Sequence, residues 1–341
     1  MERASVNLSN LFHSAGFQVA HVLILRKPHF FKLPDTIPLA EPENFNITHL
    51  SLIKTIWWLR KCIKRNEPSG VIVFSKLYAS LVCLSLIFTR IPIILSERSS
   101  PLYPWPFKFR VLHRIAFRLK RPKGVICQTT IAKQYQQKYY SSKTYLTVIP
   151  NVLRDVRRCS EIKREQIVLA VGRFNEALKG FDRLVNSFAR IRNKDWILVF
   201  AGGDENGEYL KKQAERLGIL ENVKFLGKVV EIDSVYASAG IFVIPSRSEG
   251  YPNALVEAMA AGLPCIAFDF IAGPRDIIQN NVNGIIVEDD NLDQMAEKID
   301  YLIDNPGVRE AMGVNACKIS EELSEASIKQ RYVDYIKRCF C

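Results

Sequence analysis

Residues 245–267, PSRSEGYPNALVEAMAAGLPCIA, constrain the fold more than any other stretch. The apolar run before them, Ile241 to Ile244, reads as a buried parallel strand. A helix of small residues is expected from about Asn253 to Ala261, stopped by Gly262 and Pro264, with a second strand behind it. This order puts Glu249 in the loop at the carboxyl end of a strand and Glu257 just over one turn into the helix. Open α/β sheets bind ligands at that edge, and the N–H groups of a helix start can seat an anion. Taken singly the residues say little. A Glu is usually a solvated surface group, Gly-Tyr-Pro-Asn is usually a turn, and an Ala-rich helix usually means tight packing.

The rest of the second half repeats the alternation. Strands are expected at Gln166–Phe174, Trp196–Phe200, Val223–Leu226 and Gly284–Val287. Helices are expected at Phe181–Ile191, Glu208–Leu217 and Asp233–Ala239, with an amphipathic helix at about Ser327–Cys339. Such alternation predicts a parallel, doubly wound sheet. The first half shows the habit less clearly, with strands at Val19–Leu25, Gly70–Phe74, Ile91–Leu95 and Gly124–Cys127 and helices at Leu50–Ile63 and Tyr78–Phe88. A chain of 341 residues, 48% hydrophobic, suits two packed domains at roughly 100–200 residues each. The polar stretch after Pro150 marks the junction, giving domains over 1–155 and 156–325 and a terminal helix over 326–341.

The longest apolar stretch, Leu77 to Leu95, could pass for a membrane span, but Arg90 and Pro92 fall where a turn belongs. It reads as a buried helix followed by a strand. The polar start MERASVNLSN has no apolar signal core, which predicts a cytoplasmic location. The eight cysteines lack the paired spacing of a metal site and read as reduced thiols. Charge is uneven. Residues 1–150 hold 22 Lys and Arg against 6 Asp and Glu, and residues 101–150 hold ten bases and no acid. That half presents a positive field to an anionic partner.

The block at 245–267 as a whole resembles the nucleotide-sugar signature of retaining glycosyltransferase family 4, the group 1 glycosyltransferases. Its hallmark is two Glu separated by seven residues, the first in Glu-Gly before an aromatic-Pro-Asn and the second in Glu-Ala-Met-Ala. AVGRFNEALKGFDRLVNSFA at 170–189, LVFAGG at 198–203, VKFLG at 223–227, AGPRDIIQNNVNGIIVE at 272–288 and VIPN at 148–151 extend the match. The resemblance implies a GT-B fold, two Rossmann-like doubly wound α/β domains facing a cleft, with the C-terminal helix crossing back to the first domain. It implies transfer of a hexose or N-acetylhexosamine from a nucleotide sugar, with a UDP-sugar expected.

Arg173 and Lys179 would neutralise the leaving diphosphate across a loop bounded by Gly172. The backbone of Gly250, Tyr251, Asn253, Ala254 and Leu255 would add to the anion seat, Glu257 would accept from the ribose hydroxyls, and Glu249 from the sugar near the reacting carbon. Retention would follow from the departing diphosphate taking the acceptor's proton on the same face, without a protein nucleophile. That suits a chain with no closely spaced acidic pair. No cofactor and no metal are expected. An epimerase or phosphorylase of the same plan fits the Glu pair and the GR–KGFD pattern less well.

Two departures from the family pattern stand out. Relatives begin with an apolar strand and a Gly-rich loop, whereas ERASVNLSNLFHSAGFQV at 2–19 resembles the helix after that loop. A doubly wound domain without that strand is expected to leave a central gap. A catalytically impaired partner subunit of a glycosyltransferase complex is therefore the second reading. Many relatives also carry a His where this chain has Glu97-Arg98-Ser99. Arg98 is a candidate for the acceptor, or a brace for its loop. Phe107 to Arg121 places Arg110, Arg114, Arg118 and Arg121 on one helical stripe and Phe109, Leu112, Ala116 and Leu119 on another, and Leu52 to Arg65 adds Trp57, Trp58 and five bases. Basic amphipathic segments of this kind suit an anionic membrane. The expected partners are thus a nucleotide sugar, a lipid-linked or glycan acceptor of cell-surface polysaccharide synthesis and the inner face of the plasma membrane. No nucleic-acid motif is visible.

Overall fold

The computed structural model describes residues 2–24, 31–42, 51–157, 161–174, 177–203, 207–271 and 273–340. Leu25, Leu50 and Ala272, which bound segments read above, lie outside them. The chain divides into two units, Met1–Val152 with Glu325–Cys341, and Leu153–Ser324.

The first unit runs α1 (Glu2–Ser14), β1 (His21–Val22), β2 (Leu39–Ala40), α2 (Ser51–Arg65), β3 (Val71–Phe74), α3 (Lys76–Ser85) and β4 (Ile93–Ser96). It continues with α4 (Phe107–Leu119), β5 (Gly124–Cys127), α5 (Thr130–Gln137) and β6 (Tyr145–Val148). The stretch that could pass for a span divides into α3 and β4. Among the described residues no helix is long and apolar enough to cross a membrane. Strands β3, β4, β5 and β6 form one parallel sheet in that order, while β1 and β2 form a separate parallel pair. Every residue of β4 and β5 is buried, as near-continuous apolar strands of a sheet covered on both faces should be.

Helix α4 differs from its expected amphipathic face. Ala116 is buried and Phe109 and Leu112 are half-buried, but Leu119 is exposed. It belongs to a second row with Phe107, Val111 and Ile115, all exposed. Helix α3, packed beside α4, selects which row is covered.

The second unit runs β7 (Ile167–Val171), α6 (Phe181–Phe188), β8 (Ile197–Ala201), α7 (Glu208–Arg216), β9 (Val223–Phe225), α8 (Ile232–Ser238) and β10 (Ile241–Ile244). Then follow α9 (Asn253–Ala260), β11 (Cys265–Phe268), β12 (Ile285–Val287), α10 (Leu292–Asp304), α11 (Pro306–Ala316) and α12 (Ile319–Glu322). The six strands are parallel in the order β12-β11-β10-β7-β8-β9. The chain therefore reverses its direction of travel across the sheet between β7 and β10. The strand expected to reach Phe174 leaves the sheet at Val171, because Phe174 turns back into the core against Phe181, Phe200 and Phe225.

The last helix, α13 (Glu325–Phe340), packs within the first unit. The Arg331 guanidinium donates to the Val148 carbonyl at 2.8 Å and the Tyr335 hydroxyl to the Val125 carbonyl at 3.3 Å. Among the described residues the cysteines form no disulfide.

Candidate active site

Two loops meet where the strand order reverses, the position at which open parallel sheets hold ligands. One follows β7 through Gly172, Arg173 and a short 3-10 turn, Ala177–Lys179, to Gly180. The other follows β10 from Pro245 to Pro252. They are tied to each other. The Arg247 N–H donates to the Leu178 carbonyl at 2.8 Å, and its guanidinium reaches the Ala177 carbonyl at 2.9 Å and forks onto Asp182 at 2.7 and 2.6 Å. Gly180 has φ +65°, and a Cβ there would lie 2.0 Å from the Pro245 carbonyl oxygen. Only glycine permits both the left-handed backbone and that approach.

Arg183 on α6 fixes the β10 loop from within. Its Nε and Nη2 donate to the Pro245 carbonyl at 3.1 and 2.7 Å, and Nη2 to the Ser246 carbonyl at 2.6 Å. Nη1 donates to Asp289 at 2.8 Å, and the guanidinium lies 4.3 Å from the centre of the Phe268 ring. The side chain is 4% exposed, so this is a buried charge held by a full set of acceptors. Sequence reading passed over it. Its only signal is a lone base in FDRLVNSF, an otherwise core-facing helix.

This frame brings Lys179 to Glu249. The ammonium donates to Glu249 Oε1 at 2.7 Å, and Ser246 Oγ donates to the same oxygen at 2.8 Å. The Lys179 stem crosses Gly172, where a Cβ would sit 3.3 Å from its Cδ. A lysine has three donors, so the bond to Glu249 leaves capacity for a ligand. Arg173 stands exposed next to Gly172.

Gly250 and Tyr251 continue the loop, with Tyr251 buried, and Asn253, Ala254 and Leu255 form the first turn of α9. Pro252 takes the N-cap position and makes no side-chain cap. The Asn253 amide donates to the Tyr251 carbonyl at 2.9 Å and the Leu255 amide to the Pro252 carbonyl at 3.0 Å. The expected seat over 251–255 is therefore narrower than a run of free amides. Glu257 meets Arg154, whose Nε lies 3.2 Å from Oε2, and the Tyr236 hydroxyl at 3.4 Å.

Arg154 also pairs with Asp233. Burial disfavours its charge, but Asp233 and Glu257 outweigh that and raise its pKa. Burial, reinforced by the Glu257 charge, raises the Tyr236 hydroxyl well above the usual tyrosine value, so it remains a donor. Sequence reading missed Arg154, which shows only as the base in NVLRD after the VIPN junction. Glu257 has acceptor sites beyond these two contacts.

Arg98 lies in the first unit. It donates to Ser96 Oγ at 2.9 Å and the Tyr332 hydroxyl at 2.8 Å, bonds Asn151, and rests 5.3 Å from the centre of the Phe74 ring. Its guanidinium braces the end of β4 to α13. Among the described residues no three His, Cys, Asp or Glu stand together as a metal site.

Cations and acceptor-only carboxylates at the carboxyl edge of a parallel sheet can hold a ligand that is both anionic and rich in hydroxyls. Comparison with known proteins bears on the same residues. Residues 154–319, nearly the whole second unit, match the family model described as "Glycosyl transferases group 1". An uncharacterized glycosyltransferase of Haemophilus influenzae is 27% identical over 94% of this chain and 91% of its own length. A Campylobacter jejuni enzyme is 24% identical over 98% of this chain and 94% of its own. Its name is GalNAc-alpha-(1->4)-GalNAc-alpha-(1->3)-diNAcBac-PP-undecaprenol alpha-1,4-N-acetyl-D-galactosaminyltransferase. Among solved structures, Anabaena Alr3699/HepE in complex with UDP matches with a TM-score of 0.81 at 16% identity, over 98% of this chain and 96% of that one. At that identity the likeness shows the fold alone.

Proposed function

From a chain whose residues 154–319 match the group 1 glycosyltransferases and whose fold is GT-B, we propose a retaining hexosyltransferase of family 4. It moves a hexose or N-acetylhexosamine from a UDP-sugar to a lipid-linked glycan of cell-surface polysaccharide, such as O-antigen or capsule. The observation that carries this reading is the Lys179–Glu249 pair at the point where the strand order reverses. As the bond from the anomeric carbon to the diphosphate breaks, negative charge grows on the diphosphate, and Lys179 and Arg173 stabilise it. Glu249, oriented by Ser246 and Lys179, accepts from the sugar hydroxyls. Glu257, held by Arg154 and Tyr236, accepts from the ribose. The departing diphosphate takes the acceptor hydroxyl's proton on the face it leaves, which retains configuration.

UDP as the leaving group is supported by the UDP held in Alr3699/HepE. The lipid-linked acceptor is supported by the undecaprenol-linked substrate in the name of the Campylobacter relative. The test is calorimetric titration with UDP, with GDP and ADP as controls, on this chain and on Glu257→Ala and Lys179→Ala. Selective UDP binding lost in both variants supports the reading, and a folded chain that binds no nucleotide overturns it.

The same proposal docks the enzyme on the inner face of the plasma membrane through the first unit. Helix α4 supports it, with Phe107 73%, Ile115 50% and Leu119 58% exposed beside exposed Arg110, Arg114 and Arg118. Apolar side chains flanked by cations suit an anionic bilayer surface. The chain should sediment with phosphatidylglycerol vesicles at low salt, and Ile115→Asp should weaken that. A chain left in the supernatant refutes the docking.

A further inference from the structure

Phe88 is 98% open to water, more than any other large apolar side chain among the described residues, and it stands on a backbone that suits glycine. Helix α3 ends at Ser85, and the chain turns back toward β4. The Thr89 amide donates to the Leu86 carbonyl at 3.1 Å and closes a turn whose third residue, Phe88, has φ +67°. A turn with a positive φ at that position calls for Gly or Asn, and a bulky residue there is an outlier. The ring therefore gains nothing from the fold that carries it. A single exposed apolar residue needs no explanation, but strain held under a surface aromatic points to use.

The turn is also firmly mounted. The Arg60 guanidinium of α2 donates to the Ser85 carbonyl at 2.8 Å and the Ile87 carbonyl at 3.1 Å. The Lys120 ammonium, just past α4, donates to the Thr89 carbonyl at 2.6 Å. Cations from the two helices packed on α3 thus fix the carbonyls before and after Phe88. The Lys120 bond also sets the turn beside the end of α4, where Ile115 and Leu119 are exposed.

Charge says what such a surface meets. Residues 51–65 hold no Asp or Glu, and residues 76–150 hold one, the buried Glu97. Arg90, Arg118 and Arg121 are exposed. An aromatic on a projecting turn, next to aliphatic side chains and bases without a counter-charge, matches the boundary between lipid phosphates and acyl chains. A protein partner would have to supply a pocket for the ring and acids for the bases. An anionic bilayer supplies both.

We infer that the turn between α3 and β4 is where this chain enters an anionic bilayer, with the Phe88 ring among the upper acyl chains. Entry at this turn presupposes the membrane docking proposed above and goes beyond it in naming the side chain that crosses the headgroups. The test is sedimentation of the full chain at low salt with vesicles of phosphatidylglycerol and phosphatidylcholine in equal parts. Phe88→Gly removes the ring and gives the turn the residue its backbone favours. Its melting temperature should rise by about 1–3 °C, while its affinity for the vesicles falls roughly tenfold or more. Phe88→Trp should keep the parental affinity. The emission it adds over the parent should move to the blue with vesicles and be quenched by bromine on the acyl chains.

Equal sedimentation of the parent and Phe88→Gly overturns entry at the turn and leaves docking through α4 standing. A parent that stays in the supernatant removes the docking itself, and entry with it. A clear fall in the melting temperature of Phe88→Gly would place the ring in the protein's own packing. Added emission in the sedimented Phe88→Trp chain that neither shifts nor is quenched would leave the ring to a protein partner. Either result overturns the proposal, and no readout depends on nucleotide binding.

Discussion

Gly180→Ala should damage the second unit far more than the backbone angle alone explains, and Gly218→Ala provides the comparison. Both glycines are left-handed, at φ +65° and +68°. A Cβ on Gly218 meets nothing within 4 Å, whereas one on Gly180 lies 2.0 Å from the Pro245 carbonyl oxygen. The left-handed region costs a residue with a Cβ about 1–2 kcal/mol, offset by about 0.4–1 kcal/mol from the stiffer unfolded chain. Gly218→Ala should thus cost about 1 kcal/mol, or about 2–4 °C in Tm for a unit of this size.

Gly180→Ala must also move Pro245, by about 1 Å to restore an ordinary contact. That carbonyl accepts two bonds from Arg183 at 3.1 and 2.7 Å, and the next residue, Ser246, orients Glu249. Losing one hydrogen bond to a charged group adds about 1.5–3 kcal/mol, for a total of about 2–4 kcal/mol. The melting temperature should fall by about 5–15 °C. UDP affinity should fall by about tenfold or more, since a shift of ~1 Å in a positioning group is costly. Scanning calorimetry and UDP titration on both variants decide it. If Gly180→Ala melts no lower than Gly218→Ala and binds UDP like the parent, the contact with Pro245 does not set the loop and the reasoning fails.

Arg183→Met keeps the stem but leaves the Pro245 and Ser246 carbonyls without their buried donor. Urea denaturation should show a loss of about 3–5 kcal/mol, and a loss below 1 kcal/mol would mean the loop holds itself. Burial and the nearby Lys76 charge lower His113 to about 4, against about 6.5 in the unfolded chain. The unfolded chain therefore takes the proton first, so His113's contribution is complete above pH 6.5 and declines as pH falls toward 4. In melts across that range, His113→Asn should flatten the decline. Arg98→Met should lower the melting temperature of the first unit while UDP affinity stays within about twofold, and a large loss of affinity would give Arg98 a role beyond bracing.

The segment from Ile241 to Phe268 was legible because every local signal agreed. A short apolar run, a turn with Gly and Pro, a helix of small residues and a Gly-Pro stop each predict the same boundaries, and β10, α9 and β11 fall on them. Arg183 and Arg154 were not legible, because neither acts locally. Arg183 bonds a carbonyl 62 positions away and Arg154, in the segment before β7, a carboxylate on α9, and nothing in their own neighbourhoods marks them off from surface bases. Helix α4 shows a different limit. Periodicity identifies apolar rows, but Phe107–Val111–Ile115–Leu119 and the row through Ala116 are both helical, and only the packing of α3 decides between them. Strands β1 and β2 carry little pattern in two residues each.

The charges at the reversal of strand order are paired within the protein. A buried cation with no partner would shed its charge or destabilise the fold. Lys179 avoids this by pairing with Glu249, and Arg154 by pairing with Glu257 and Asp233. On the proposed function each carboxylate is both a ligand group and a placeholder that keeps its cation positioned for hydroxyls and phosphates. On the proposed function an incoming diphosphate would take up the donors that Lys179 has spare, and the sugar hydroxyls would take up the acceptor capacity of Glu249 on its other lone pairs. Because the pair need not break for this, the donors are aimed before binding, and little reorganisation is left to oppose the growth of charge on the leaving group. The same pairing makes Lys179→Ala a compound change, since it removes the proposed partner of the diphosphate and strands a carboxylate that is only 12% exposed. Glu257→Ala releases Arg154 to Asp233, which holds it already. Loss of binding in both variants thus reaches the donor site by two different physical routes.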